Sequence, residues 1–386
     1  MGPRDASLRV VGCVVVRDEG DLLEGCLQSL VPWVSDVIVV DHGSSDQSAA
    51  VALRHGATVI DARASGYEDA RNAYLDAIDE GWVLVIDADE RMVTRGEGQR
   101  ARLLDWCERH QESRDGFSLP RYEYLGDGDF AEVEVVRLWR AHADVRYPRS
   151  AWHASVVPSI EARGGVLQPA PFAQHHVDLL RAGSATVKRA RARARGALEL
   201  AKPNHSPMLW LYMGLEHAAL GDLEAACELF AKAVAHEPLC APNAALFTAQ
   251  VRLAQGRLDE AAHQAQRALH GRRVHRGNAP AHVLLAEVAY LCGDLERAHA
   301  ALLAARLTRR WYASAHLNLA AHWIETDRPR ASVHLSRALR CNGRIFDPEI
   351  EVPGDRPSIY LHQRTLTQRT RGLRTQLREL AHQLHP

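Results

Sequence analysis

Two aspartates one residue apart, Asp87-Ala88-Asp89, directly follow the apolar run VLVI, and a third, Asp41, directly follows VIVV. Carboxylates are hard oxygen donors that suit a divalent cation, and a cation so held can bridge to a diphosphate that bare carboxylates would repel. With one spacer between them, the two aspartates can divide the work, one reaching the metal and the other a sugar hydroxyl. Further acids stand at corresponding places, in Arg17-Asp18-Glu19 and in Asp41-His42-Gly43-Ser44-Ser45-Asp46. The plainer use of such residues is a solvated turn or a helix N-cap. Ser44, Ser45 or Asp46 can cap a following helix equally well, so Asp41 is not needed merely for that.

These residues require a scaffold that delivers them to one edge. From Leu8 to about Asp89, short β-branched runs alternate with helical stretches, the pattern of βαβ units and a parallel sheet. The runs at 8–16, 36–40, 57–60 and 82–86 predict strands, and those at 21–30, 45–55 and 67–80 predict helices. The unbroken apolar character of VIVV and VLVI predicts strands covered on both faces. In such sheets ligands bind beyond the carboxyl ends of the strands, where the acids fall. Neither GxGxxG nor GxxxxGK[ST] follows the first strand, which argues against a dinucleotide enzyme and a P-loop enzyme.

The chain of 386 residues is long enough for about two domains. Its 46% hydrophobic and 25% charged residues fit a globular protein, and a net charge of -1 points to neither nucleic acid nor an anionic membrane as partner. No apolar stretch approaches the ~20 residues of a membrane span or forms a signal peptide, so a cytoplasmic protein is expected. Seven scattered cysteines without a CxxC pair read as reduced thiols. From about Pro207 the texture becomes Ala- and Leu-rich, with turns at Gly221, Gly256 and Gly293 spaced 35 and 37 residues apart. That is near the period of about 34 of tetratricopeptide repeats, and a fourth copy, 313–340, lacks the glycine. Stacked helix pairs make a concave surface that binds a macromolecular acceptor or partner; otherwise the repeats join copies of the chain or brace the enzyme. The stretch from Arg181 to Arg195 spreads its cations around a helix and reads as a solvated linker. The expected organisation is an α/β domain at 1–180, a basic linker helix at 181–206, repeats at 207–345 and a helical tail at 346–386.

The segments VVVRDEGDLLEGCLQSLVPWVSDVIVVDHGSSDQS and GYEDARNAYLDAIDEGWVLVIDADE resemble the inverting family-two glycosyltransferases of the GT-A fold. The resemblance is to the subgroup that carries tetratricopeptide repeats and includes bacterial peptide S-glycosyltransferases. It implies a Rossmann-like, mostly parallel sheet and a UDP-sugar as donor. Val15 and Arg17, with Glu19 close by, would line the nucleobase pocket, and Asp41 would hydrogen-bond the base. Arg71 and Asn72 would face the nucleotide and sugar, Asp87 would hold the ribose or donor sugar, and Asp89 would be the principal ligand of Mg²⁺ or Mn²⁺.

Further along, VVRLWRAHADVRYPRSAWHASV is similar to the family's stretch ending in a His-Glu pair near the acceptor. Here His153 is followed by Ala154 instead of the glutamate. AQHHVD resembles the family's histidine before the C-terminal helices, making His176 a further metal ligand with His175 its neighbour. A hydroxyl acceptor needs a base, for which Glu132, Glu134, Asp127, Asp129 and His153 are candidates. A thiol acceptor needs less help, being a few per cent ionised near neutral pH, which suits the absent glutamate. The expected acceptor is a Ser, Thr or Cys side chain of a peptide or protein. The rival readings are a peptide-binding adaptor with a degenerate transferase domain, and a nucleotidyltransferase, which would lack the ARN and DHGSSD motifs in this order.

Overall fold

The computed structural model describes residues 8–63, 67–93, 96–148, 155–177, 184–202, 205–206, 208–270, 278–308, 312–351 and 365–384. They fall into two compact units, one of residues up to 121 with 134–178, the other of 122–133 with everything from 179 onward.

In chain order the first part of the chain forms β1 (Val10–Val16), α1 (Gly20–Leu30), β2 (Asp36–Asp41), α2 (Ser48–Arg54), β3 (Thr58–Asp61), α3 (Tyr67–Asp76) and β4 (Trp82–Val85). There follow β5 (Glu90–Met92), α4 (Gln99–His110), β6 (Gly116–Gly126), β7 (Asp129–Arg140), α5 (Val157–Ala162), β8 (Leu167–Pro169) and β9 (Gln174–His176). The strands order as β3-β2-β1-β4-β7-β6-β9-β5, with β8 alongside β6. β1 to β4 pair in parallel, whereas β7 joins β4 antiparallel. The expected parallel half is therefore continued by a β6–β7 hairpin, making a mixed sheet.

Period-two alternation explains why β1 and β2 are apolar throughout: successive side chains enter opposite cores. Val10, Val14, Val37, Val39, Trp82 and Leu84 pack with Leu23, Leu27 and Leu30 of α1 and Leu103 of α4. Val11, Cys13, Ile38, Val40, Val83 and Val85 pack with Tyr74 and Ile78 on the other face. A Cβ on Gly12 would stand 2.8 Å from Leu30 Cδ2, so glycine lets the Leu30 side chain of α1 lie directly against β1.

The second unit contains α6 (Ser184–Leu200), then α7 (Met208–Ala219), α8 (Leu223–His236), α9 (Ala241–Ala254), α10 (Leu258–Leu269), α11 (Asn278–Leu291), α12 (Leu295–Thr308), α13 (Ala313–Trp323) and α14 (Arg328–Cys341). From α7 on, each odd helix packs on the next, and successive pairs stack. The chain closes with α15 (Gln368–Gly372) and α16 (Arg374–Leu384). The second helix of every pair buries residues at i, i+4 and i+7, for instance Ala226, Phe230 and Ala233, or Ala331, Leu335 and Ala338. This is the single apolar stripe a stacked helix needs, with small residues allowing close approach. Gly221, Gly256 and Gly293 turn at positive φ. The fourth pair lacks such a glycine, and there Asp327 accepts the Arg330 N–H at 3.0 Å and caps α14, as Asp294 caps α12 through the Arg297 N–H at 2.9 Å.

Also in this unit, Asn318 of α13 holds the backbone of 365–367 at both ends, through Nδ2 to the Thr365 carbonyl at 2.9 Å and Oδ1 from the Thr367 N–H at 3.0 Å. Phe130 O accepts from the Thr365 hydroxyl, and the Tyr122 hydroxyl donates to Cys341 O. No helix among the described residues is long and apolar enough to cross a membrane.

Candidate active site

Register brings the acids together. Val16 pairs with Asp41, Asp41 pairs with Asp61, and the Ile86 N–H donates to Cys13 O, so all three βα connections and the Asp87 turn leave one edge of the sheet. The loops after β1 and β2 are tied to each other. Asp18, at a φ of 54°, accepts the Ser45 N–H at 2.6 Å, and Asp46 accepts the N–H groups of Gly20 and Ser48, both at 2.9 Å. Hydrogen bonds from the Ser45 backbone and hydroxyl hold the Asp18 carboxyl below its usual range. Asp41 is buried and accepts the Ser44 N–H at 2.8 Å. Asp46, Asp18 and Asp41 therefore order these loops together, Asp41 from the buried strand end through the Ser44 N–H. Val15 belongs to the core under this loop, Arg17 is exposed, and the Glu19 N–H donates to the Ser48 hydroxyl.

Asp87 is gripped on both oxygens. Arg71 Nη2 donates to Oδ1 at 2.9 Å and Arg137 Nη2 to Oδ2 at 2.6 Å. Arg137 Nη2 also reaches Glu90 Oε1 at 2.6 Å, and Arg121 Nη1 reaches the same oxygen at 2.9 Å. Glu90 is 0% exposed, and its other oxygen accepts the Asp87 N–H at 3.0 Å. Burial acts to raise the Asp87 carboxyl, but the Arg137 and Arg71 guanidiniums outweigh it and hold the group far below the usual carboxylate range. This corrects the picture of a wall of bare carboxylates: around Asp87 and Glu90 stand three guanidiniums, a setting that tolerates an anionic diphosphate.

Asn72 does not join that cluster. Its Nδ2 donates to the Tyr147 carbonyl at 3.0 Å and its Oδ1 accepts the Tyr147 N–H at 2.9 Å, fixing Tyr147 below the Arg71 guanidinium, 5.4 Å from the ring centre. The Tyr74 hydroxyl meets that of Tyr147 at 2.9 Å.

Asp89 and His176 are 87 positions apart yet adjacent, because β5 and β9 pair antiparallel with Glu90 opposite His176. His176 Nε2 lies 3.2 Å from Asp89 Oδ2, and the Val177 N–H donates to Asp89 O at 2.8 Å. His175, its neighbour, is buried opposite Arg91. Among the described residues no set of three His, Cys, Asp or Glu side chains is placed to hold a metal ion by itself. One carboxylate and one imidazole nonetheless fit a cation that takes its other ligands from phosphate oxygens and water, as Mg²⁺ commonly does.

The acceptor-side expectations fare differently. His153 and Ala154 lie outside the described residues. Glu132 belongs to the second unit, where it is 2% exposed and accepts from the Ser314 N–H at 3.2 Å and hydroxyl at 3.4 Å. Glu134 accepts from the Ser118 hydroxyl at 3.1 Å. Asp127 sits at a φ of 52° in the hairpin turn, and Asp129 lies 3.7 Å from Arg371. Glu90 stands among the acids that follow the fourth strand in the sequence, whereas two residues of the cluster, Arg121 and Arg137, were not singled out from it. The signal was an arginine inside the apolar run VVRLW, where a buried strand has no use for a charge unless an acid waits for it.

Residues 13–93 match the sequence profile of Glycosyl transferase family 2. The match runs from β1 to just past β5, the segment that holds Asp41, Asp87 and Asp89, and the helix pairs follow it in the chain. A TPR repeat-containing protein of Synechococcus elongatus is 33% identical over 158 residues, 41% of this chain and 38% of the relative, so the match spans well under half of that protein. Among solved structures, MamA from Desulfovibrio magneticus shares 19% identity over 42% of this chain and 90% of its own, with a TM-score of 0.34. A thermophilic TPR protein of Thermus thermophilus shares 24% over 38% of this chain and 77% of its own, with a TM-score of 0.31.

Proposed function

We propose that this chain transfers a sugar, with inversion, from a nucleotide-diphosphate sugar, a UDP-sugar by preference, to a Ser, Thr or Cys side chain of a peptide or protein. The observation that carries the reading is the Asp89–His176 pair, 3.2 Å apart beside an arginine-clamped Asp87, with both aspartates inside the segment that matches the transferase family.

Asp41 accepts from the nucleobase, and the ordered loops after β1 and β2 enclose it. Asp87, kept ionised and fixed by Arg71 and Arg137, accepts hydroxyls of the ribose or donor sugar. The same guanidiniums supply positive charge where the leaving diphosphate gathers negative charge, which favours departure electrostatically. Asp89 and His176 would hold the divalent cation, and the imidazole nitrogen favours Mn²⁺ over the harder Mg²⁺. When bound, that cation would neutralise further charge on the diphosphate. Free thiols at all seven cysteines suit a reducing compartment such as the cytoplasm.

The test is a panel of nucleotide sugars incubated with the full chain, with and without Mn²⁺, scored for nucleoside diphosphate release. Metal-dependent release from one donor is expected. Asp89→Asn, which keeps the shape and removes the charge, should abolish it while stability moves by less than ~1 kcal/mol. No release from any donor, or undiminished release in the variant, defeats the proposal.

A further inference from the structure

The last helix pair carries a charge imbalance that the chain as a whole conceals. Between Arg297 and Arg344 the sequence has nine arginines and four histidines but only two carboxylates, Glu325 and Asp327. Both carboxylates have partners. Glu325 pairs with Arg369 at 2.5 Å, and Asp327 lies 3.3 Å from Arg330 while capping α14.

Arg297 and Arg344 pair with Asp294 and Asp347, Arg309 and Arg310 lie outside the described residues, and Arg328 donates to Gln383. That leaves Arg306 of α12 and Arg337 and Arg340 of α14 without an ion-pair or side-chain hydrogen-bond partner among the described residues. Arg337 and Arg340 are exposed, and the Arg306 Nε is buried without a hydrogen bond among the described residues. All three guanidiniums act electrostatically on His316 of α13, whose Nδ1 atom lies 3.3 Å from that of His334 of α14. That contact needs one ring to donate and the other to accept, so the rings contribute no acid to offset the arginines. A metal cation is disfavoured there by the same guanidiniums.

His316 lies two residues from both Ser314 and Asn318, about 200° around the helix from the side those residues present to 365–370. The arginine face is therefore separate from the face that the unit's own segment covers. A guanidinium without a carboxylate matches the planar fork of an Asp or Glu side chain, and helical repeats present such groups in series along their surface.

We propose that the face formed by Arg306, Arg337 and Arg340 around His316 and His334 docks an acidic segment of a polypeptide. An acceptor with Asp or Glu residues near its modified side chain is the natural occupant, and only that identification rests on the function proposed above. Docking itself is measured without donor, metal or turnover, so the two ideas fail separately.

The experiment is fluorescence anisotropy of a labelled hexaglutamate peptide with the full chain at low salt, with an oligothymidylate of matched charge as competitor. Binding that weakens about tenfold in Arg306→Gln/Arg337→Gln/Arg340→Gln is expected. Arg337→Gln/Arg340→Gln, confined to exposed positions and so safe for folding, should weaken it in the same direction. Arg257→Gln, which removes a cation already paired with Glu260 at 2.6 Å, should leave it unchanged. No binding to the unaltered chain, binding by the double and triple variants as tight as that of the unaltered chain, or a tenfold preference for the oligothymidylate overturns the assignment.

Discussion

Arg137 links two acids that would otherwise repel, since one of its nitrogens lies 2.6 Å from both Asp87 and Glu90. Removing one partner of a buried ion pair leaves uncompensated charge, so Arg137→Met should cost roughly 3–5 kcal/mol, read as a drop in the urea midpoint. Arg137→Lys keeps the charge, but its shorter-reaching and more strongly hydrated ammonium must serve both acids from a buried position and should recover only part. A midpoint within error of the unaltered chain for the Met variant would show that the cluster is not held as described. At this scale the sequence was legible where residue type and position agreed, as for Asp41, Asp87 and Asp89 at strand ends. It was silent on which acids are neutralised, because Arg71, Arg121 and Arg137 reach the cluster from three different elements. Asn72 illustrates the opposite case: the ARN motif marks it, but its amide is used on the backbone of Tyr147, 75 positions away.

Among the elements, β1 to β4 and α1 to α3 were readable because their period follows from burial on two faces. Boundaries moved where side chains intervened: α2 starts at Ser48 because Ser44 to Asp46 are engaged with Asp18, Gly20 and Asp41. β5 and β9, three residues each, are too short to carry a period, yet they bring His176 to Asp89. The helix pairs were legible from their glycine turns, and the fourth from repeat length alone. Asp327 caps the second helix of that pair, so Asp327→Ala should lower stability by about 1 kcal/mol. Thermal melting checks this, and an unchanged midpoint would mean that the Arg330 N–H finds another acceptor. In the first unit, Leu27→Ala empties a fully buried site in the α1 contact and should cost about 2–5 kcal/mol.

On the scale of the whole molecule, the two-part organisation followed from a change in periodicity, whereas the grouping of 122–133 with the helical unit did not, since it rests on side-chain contacts remote in sequence. The helical unit should also respond to acid earlier than its carboxylates would dictate. His316, His322 and His334 are pushed down to about 4, by burial first and then by neighbouring histidines and arginines. Unfolded, they titrate near 6.5, so between those values the unfolded chain binds more protons and stability falls as pH falls. Urea midpoints should be highest above about pH 6.5 and decline toward pH 4, a decline that shrinks in His316→Gln/His334→Gln. A midpoint that rises on going from about pH 7 to pH 5 would contradict these environments. The central claim concerns the donor site of the whole chain, and calorimetric titration of UDP tests it most directly. UDP should bind the unaltered chain in the presence of Mn²⁺, and binding should be lost both on chelation and in Asp89→Asn. UDP binding that is indifferent to Mn²⁺ and to that substitution, or no binding at all, would contradict the account.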